Sequence, residues 1–155
     1  MLYRLAPQFG RWGELLRMIR RAFASMDGVI DPPSSVHRLT EDGLRQRAED
    51  EIGIVALMDQ DIVGCVFLAE KDDHLYLGKL AVDPGKHGHG IGRRLVVHAE
   101  EIARTAGKTA LELQTRIELT ANHAAFDRLG FVETERTAHA GFDRPTTITM
   151  RKRFV

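Results

Sequence analysis

The sequence predicts an α/β (α+β) fold in which a mixed central sheet of about seven strands is flanked by about four helices. Apolar runs of strand length, joined by short polar turns, occupy residues 52–82, which indicates antiparallel strands. An amphipathic helical pattern over residues 91–106 then leads to a period-two run over residues 110–115. Because a helical crossover joins parallel strands, the sheet must be mixed. The length fits one domain over residues 1–155.

The first third of the chain predicts one short strand and two helices. Residues 2–6 are predicted as a strand that a proline ends. Over residues 10–24, apolar side chains recur at spacings of three and four, which is typical of a helix with one buried face. A helix cannot run through the double proline within residues 25–36, and this stretch is predicted as a loop. Thr40 precedes two acidic residues and is predicted as the N-cap of a helix over residues 41–50.

The middle of the chain predicts three strands followed by the longest helix. Residues 52–58 and 62–70 read as a hairpin, and a second short turn leads into a strand over residues 74–82. An Asp-Pro-Gly turn stops that strand before the helix, and Gly107 suits the C′ position at the helix end. We place the centre of the sheet where antiparallel pairing gives way to parallel pairing.

The last part of the chain predicts a short helix and two closing strands. The helix covers residues 120–129, with Thr120 predicted as its cap and Gly130 as its end. Residues 131–137 and 146–154 are predicted as strands. Exposed strand edges at this hairpin make a homodimer a reasonable expectation.

Composition restricts the classes of function. Lys and Arg together number 22, as do Asp and Glu, so no overall basic field attracts nucleic acid or an anionic membrane. No apolar run approaches the ~20 residues that span a bilayer, and no secretory signal is visible. The single cysteine, Cys65, excludes an internal disulfide framework and is expected to be a small core residue. We therefore predict a cytoplasmic protein that acts on small molecules, with no nucleic acid or membrane partner.

The most informative segment is residues 80–94, LAVDPGKHGHGIGRR, which joins the end of a strand to the start of a helix. Its glycines allow positive φ angles and let a ligand approach the backbone closely. The first turn of a helix leaves N–H groups without partners, and the helix dipole favours negative charge there. The segment therefore predicts a site for phosphate or pyrophosphate, with Lys86, Arg93 and Arg94 at its rim.

Two other phosphate motifs fail on spacing. A dinucleotide fingerprint that starts at Gly88 needs a glycine where Arg93 stands. A P-loop that starts at Gly85 needs Lys and then Ser or Thr after Gly90, but Ile and Gly follow.

The glycine segment resembles the acetyl-CoA motif of the GCN5-related N-acetyltransferase (GNAT) superfamily. That motif reads Gln or Arg, two residues, Gly, one residue, then Gly or Ala. Residues 87–92, HGHGIG, supply both glycines, although His87 stands where Gln or Arg is usual. Residues 122–131, NHAAFDRLGF, resemble the second signature of the family, a short helix that ends in Leu-Gly-Phe before a strand.

The resemblance implies an acetyl-CoA-dependent N-acetyltransferase that moves an acetyl group to the amine of a small molecule by direct attack in a ternary complex. It implies backbone contacts to the pantetheine arm from Leu80, Ala81 and Val82, and an oxyanion-type contact from an N–H near Val82. Asn122 would lie near the pantetheine and the sulfur. The residues that would line the pyrophosphate are His87, Gly88, Gly90, Ile91, Gly92 and Arg93.

Two departures from the family pattern leave the proton chemistry open. Phe126 stands where members often carry a tyrosine that protonates the leaving thiolate. Tyr76 stands where many members carry a glutamate base, so the candidate catalytic residues are Tyr76 and Asn122. Tyr76 either relays a proton or only packs in the sheet, and His123 and His139 are either bases or surface residues. The departures also keep open a second reading, a coenzyme A-binding domain with little or no catalysis. A nucleotide-binding domain of another family is a third.

The remaining candidate residues are those that could bind a metal and those that could determine the substrate. The pair His87 and His89 lacks a Cys or carboxylate at ligand spacing, so no metal is expected. Residues 25–37 and 138–146 are expected to determine the substrate. An acid in these loops would bind a cationic amine, whereas a basic residue would bind a carboxylate, and the sequence does not choose. The acids are Asp27, Asp31 and Asp143, and the basic residues are His37, Arg38 and Arg144.

Overall fold

The computed structural model describes residues 1–154, which form a seven-stranded sheet and four α-helices, as predicted. The strands are β1 (Leu2–Arg4), β2 (Ile52–Met58), β3 (Asp61–Glu70), β4 (His74–Val82), β5 (Ala110–Arg116), β6 (Val132–Thr137) and β7 (Thr147–Arg153). The helices are α1 (Trp12–Phe23), α2 (Glu41–Asp50), α3 (Ile91–Thr105) and α4 (Thr120–Arg128). No helix in this part of the chain is both long and apolar enough to cross a bilayer.

The sheet order is β1-β2-β3-β4-β5-β7-β6. Strands β1 to β4 pair antiparallel, β4 and β5 pair parallel, and the last three strands are antiparallel. The mixed sheet and its centre at β4 therefore confirm the prediction. Strand β7 lies between β5 and β6, so β6 forms one edge of the sheet, and all its side chains are exposed. Association of two chains through this edge stays a prediction.

Two apolar cores cover the two faces of the sheet. Helices α1 and α2 pack on one face, where Leu15, Ile19 and Leu44 are fully buried. Helix α3 packs on the other face, where Leu95 and Ala99 are fully buried. The spacings of three and four in α1 and α3 place these side chains on one side of each helix, so each helix covers one face.

A β-bulge distorts β4 beside the centre of the sheet. Cys65 of β3 lies opposite Ala81, and Phe67 lies opposite Gly78, so two residues of β4 face one residue of β3. One of the two, Lys79, has a φ of +51°. Parallel pairing with β5 ends just before the bulge, at Leu77 and Leu113. Because bulges bend a strand and increase its twist, β4 and β5 separate beyond this point and leave a gap in the sheet.

The helix caps follow the sequence signals at three of four predicted positions. The hydroxyl of Thr40 accepts a hydrogen bond from Gly43 N at 3.0 Å, as predicted for the N-cap of α2. Gly107 and Gly130 have φ angles of +76° and +97° just after α3 and α4. The prediction for Thr120 was wrong: it is the first residue of α4, and its hydroxyl makes no capping hydrogen bond. A residue already in helical conformation cannot turn its side chain back to the free N–H groups.

Removing the Thr40 hydroxyl should therefore destabilise the fold, whereas removing the Thr120 hydroxyl should not. We expect Thr40→Ala to lower the free energy of unfolding by about 1 kcal/mol, the usual value of an N-cap. Thr120→Ala is the matched control, with an expected change within about 0.5 kcal/mol. Urea denaturation of both variants measures the difference. Equal losses would show that Thr40 does not act as a cap.

Candidate active site

A cavity of about 510 Å³ lies where β4 and β5 separate. Leu80, Leu113 and Phe126 line it from the face that carries α3. Tyr76 alternates with the α3-facing side chains of β4 and lines the cavity from the opposite face, together with Arg47 of α2. The cavity therefore lies at the gap in the sheet and is lined by residues of both faces.

The structure brings some of the predicted site residues to this cavity and places others beyond it. Tyr76, Leu80 and Asn122 line the cavity, as does Phe126, whose ring packs edge-to-face on Phe131 at 5.9 Å. No hydrogen bond within residues 1–154 involves the Asn122 side chain, so its amide is free. The remaining predicted residues continue along β4 and into the start of α3. They are Ala81, Val82, His87, Gly88, Gly90, Ile91, Gly92 and Arg93.

The start of α3 presents a row of free N–H groups. The first N–H at this end with a backbone partner is that of Arg94, which donates to Gly90 O at 3.0 Å. None of the N–H groups of residues 87–93 donates a hydrogen bond within the described chain. Gly88 and Gly90 have φ angles of +86° and +71°, and open space lies where each would carry a Cβ. The arrangement is suited to an anion that approaches the backbone closely.

The end of β4 and the start of α3 form one continuous surface. A Cβ on Gly92 would lie 3.5 Å from Val82 Cγ2, so the strand end contacts the helix start. The turn between them is closed by Asp83 Oδ1, which accepts from Gly85 N at 3.0 Å. Asp83 N donates to Val63 O at 2.8 Å. Because successive N–H groups of a strand point to opposite sides, the N–H of Val82 points away from β3 and toward the gap.

Tyr76 and Cys65 both keep their protons at neutral pH. Burial raises the pKa of the Tyr76 hydroxyl, and the nearby Glu112 carboxylate raises it further. Tyr76 can therefore donate a proton or a hydrogen bond but is a poor base. Burial also raises the pKa of Cys65 to about 12, and its side chain is fully buried. Cys65 is a core residue, as predicted.

The two candidate histidines differ in position. His139 lies in the β6–β7 loop (residues 138–146) and lines the cavity, where Nδ1 contacts the hydroxyl of the buried Thr146. Burial lowers the pKa of His139, and the positive charge of Arg116 lowers it further. His123 lies outside the cavity lining, and its Nε2 is within hydrogen-bond distance of Arg116 O, at 2.8 Å. His139 is therefore the histidine that the fold brings to the site.

Sequence reasoning missed six polar residues of the cavity: Arg47, Lys79, Gln114, Thr115, Arg116 and Thr147. The hydroxyl of Thr115 is buried without a hydrogen-bond partner in residues 1–154, at the wall of the cavity. The bulge residue Lys79 also lines the cavity. A signal for Lys79 was present, because the apolar alternation Leu75, Leu77 resumes at Leu80, one residue late, as a bulge requires. Thr115 gave none, since a threonine fits any half-buried strand.

The comparisons with known proteins agree with this geometry. The model of the acetyltransferase (GNAT) family matches residues 14–131. The chain belongs to this family. The match confirms the family and the acyltransferase class that the glycine segment predicted, and the fold class is confirmed with them. His87 and His89 have no third potential metal ligand beside them in the described residues.

Relatives and solved structures of GNAT proteins cover most of the chain. IAA acetyltransferase of Azospirillum brasilense is 31% identical over 128 residues, which is 81% of this chain and 81% of that protein. Streptothricin acetyltransferase of Streptomyces lavendulae is 36% identical over 95 residues, or 59% of this chain and 50% of that protein. PaiA N-acetyltransferase of Thermoplasma acidophilum, crystallised with coenzyme A, has a TM-score of 0.81 at 16% identity and covers 99% of this chain and 98% of that one.

Proposed function

We propose that this GNAT protein transfers the acetyl group of acetyl-CoA to the amine of a small molecule by direct attack in a ternary complex. The observation that carries the proposal is the cavity at the gap between β4 and β5, which is lined by residues of both faces of the sheet, so that each substrate would bind from its own face. Holding both reactants in one geometry can contribute roughly 7–11 kcal/mol to lowering the barrier. The relatives named as acetyltransferases support the same reaction class.

The residues on the α3 side fit coenzyme A. The free N–H groups of residues 87–93 would hold the pyrophosphate, with Gly88 and Gly90 allowing close approach. Ile91 would contribute only its N–H, because its side chain is buried in the core. Backbone groups of residues 80–82 would bind the pantetheine arm along the strand edge that β5 leaves open. Asn122 and Thr115 would supply polar groups near the sulfur.

In the reaction, the amine nitrogen forms a bond to the thioester carbonyl carbon, and the carbon–sulfur bond breaks to release the thiolate of coenzyme A. The N–H of Val82, which points away from β3, would stabilise the negative charge on the carbonyl oxygen. The Tyr76 hydroxyl stays protonated and can donate a hydrogen bond on the acceptor side. Phe126 has no proton to give, so the leaving thiolate would take one from water.

His139 is the base that we assign to the amine. Its backbone N–H donates to Thr146 Oγ1 at 2.9 Å, and Thr137 O lies 3.5 Å from that oxygen to accept the hydroxyl proton. With the hydroxyl proton so placed, the Thr146 oxygen accepts from His139 Nδ1, which leaves the lone pair on Nε2. The lowered pKa keeps this imidazole neutral at pH 7, the form that accepts a proton.

Release of free thiol from acetyl-CoA, measured with a panel of primary amines, tests the proposal. We expect thiol release that depends on the amine and matches the amount of acetylated product found by mass spectrometry. Coenzyme A binding without thiol release from any amine would instead favour a binding domain. Displacement of coenzyme A by ATP or NAD in a thermal-shift competition would favour a general nucleotide site and contradict the proposal.

A further inference from the structure

The face of the cavity that carries α1 and α2 is lined by basic side chains. Arg38 of the α1–α2 loop (residues 24–40), Arg47 of α2 and Lys79 of the bulge all line it. Among residues 1–154, no Asp or Glu lines the cavity. A site that binds a polycationic amine needs carboxylates near the amine, so this lining favours a different class of acceptor.

The basic side chains are close together and only partly compensated. Arg47 lies over Gly78, because a Cβ on that glycine would be 3.4 Å from Arg47 Nη1. Lys79 Nζ donates to the neutral hydroxyl of Ser35 at 2.7 Å and has no ion pair in the described chain, nor has Arg38. Arg47 has one carboxylate partner, Glu51, at 3.6 Å. The cluster therefore keeps a net positive charge, with Arg47 and Lys79 partly buried and Arg38 exposed.

The pKa of Lys79 agrees with this charge balance. Burial lowers the pKa of its ammonium group, and the positive charges of Arg47 and Arg38 lower it further. An anion bound among the three groups would reverse the second effect and lower the cost of holding the charges together.

The acidic candidates of the substrate loops are engaged elsewhere. Asp27 Oδ1 lies 2.8 Å from His37 Nε2, and Asp31 Oδ2 lies 3.2 Å from Arg144 Nη2. Asp143 is exposed and does not line the cavity. The sequence left open whether these loops bind a cation or a carboxylate. Of the six charged candidates in the two loops, Arg38 is the one that lines the cavity.

Arg116, the remaining arginine of the cavity, has a different role. Its Nη1 and Nη2 donate to the carbonyl oxygens of Pro32 and Pro33 at 2.6 and 3.2 Å. These bonds hold the α1–α2 loop against the end of β5. The end of α1 and the loop thereby contribute an apolar wall to the cavity, formed by Phe23, Met26, Ile30, Pro32 and Pro33.

We infer that the acceptor is an amine with an apolar body that also carries a carboxylate or phosphate group, which Arg38, Arg47 and Lys79 bind. The inference rests on the proposed function and names its substrate class. The basic cluster would hold the anionic group, the apolar wall would contact the body, and the amine would point toward the gap. Arginine suits this role because its planar group binds carboxylate or phosphate through two hydrogen bonds.

Matched pairs of acceptors test the inference. Amino acids with apolar side chains are compared with their carboxamides, phosphoethanolamine with ethanolamine, and spermidine serves as the polycationic amine. In the pair that shows the larger difference, we expect kcat/KM to be at least about tenfold higher for the anionic member, which is the usual effect of a charged hydrogen bond. The pair with the larger ratio distinguishes carboxylate from phosphate.

Variants assign the preference to the cluster. We expect Arg38→Gln and Lys79→Gln each to reduce the ratio of kcat/KM values, and Lys79→Arg to retain it. Arg45→Gln is the matched control, because Arg45 lies on α2 outside the cavity and pairs with Asp42 at 2.7 Å. The amine of an amino acid and the amine of its amide differ in pKa. This difference is the same for every variant, so it cancels when the ratios of kcat/KM values are compared between variants. Thermal shifts of the coenzyme A-bound protein with each pair give the same comparison without turnover.

The possible outcomes separate the two proposals. A preference for anionic amines that falls in the cluster variants but not in Arg45→Gln supports the inference. Higher kcat/KM for spermidine or the uncharged members, or a preference that the variants leave unchanged, overturns it while acetyl transfer stands. Absence of thiol release with every amine contradicts the proposed function, and the thermal shifts then still decide whether the cluster binds anions.

Discussion

Gly90→Glu should weaken the affinity for coenzyme A by roughly 10- to 100-fold, which corresponds to the loss of charge-assisted hydrogen bonds. Gly90 is the N-cap of α3, with a φ of +71° and open space where a Cβ would be. A glutamate there would place a carboxylate among the free N–H groups that we assign to the pyrophosphate. It would compete for those groups and repel the ligand. Isothermal titration calorimetry with coenzyme A measures the change.

The same helix offers a matched control for this substitution. Gly107 follows the other end of α3, with a φ of +76° and equally open space. Gly107→Glu therefore introduces the same charge and the same backbone strain far from the glycine segment. We expect both variants to lose stability, but only Gly90→Glu to lose affinity. Equal affinity of the two variants for coenzyme A would be evidence against the anion site.

His139→Gln should lower kcat about 10²- to 10⁴-fold, the usual contribution of a general base. Glutamine retains polar groups at this position but cannot accept the proton of the amine. The affinity for coenzyme A should stay close to that of the wild type, because His139 lies in the β6–β7 loop and not at the start of α3. Steady-state kinetics with the best amine acceptor, together with titration of coenzyme A, measure the two quantities.

The pH profile separates a base from a residue that only shapes the cavity. Burial and Arg116 lower the pKa of His139 below its ordinary value, so the imidazole is neutral at pH 7. The kcat/KM of the wild type should therefore fall as the pH drops through this lowered pKa, where His139 becomes protonated. That acidic limb should be absent from His139→Gln. His123→Gln serves as the control with the limb intact, and an unchanged limb in His139→Gln would exclude the proposed role.

Two side chains of the cavity replace the glutamate and the tyrosine that many family members carry. Where a glutamate base is usual, Tyr76 keeps its proton, and where a tyrosine acid is usual, Phe126 packs on Phe131. His139 reaches the same cavity from a different part of the chain. In the proposed mechanism the base comes from the β6–β7 loop, and the central strand provides the scaffold and a hydrogen-bond donor.

The sequence by itself determined the elements of the fold and the family. Strand and helix periods, the turn residues and the caps at Thr40, Gly107 and Gly130 are local signals, and each is readable within a few neighbouring residues. The glycine segment over residues 87–92 is also a local signal, because the free N–H groups at a helix start arise from the helix itself and not from a distant segment. Thr120 departed from its local signal, since the helix began one residue earlier than its hydroxyl would require.

The tertiary structure alone decided which side chains meet. Strand β7 pairs with β5 and leaves β6 at the edge, which brings the β6–β7 loop and His139 to the cavity. Asp31 and Arg144 pair across more than a hundred residues of sequence, and this pairing leaves Arg38 facing the cavity without an acid. Such contacts depend on the packing of distant segments. An arginine forms an ion pair of similar energy with any carboxylate that the fold brings close to it. No local pattern can therefore encode them.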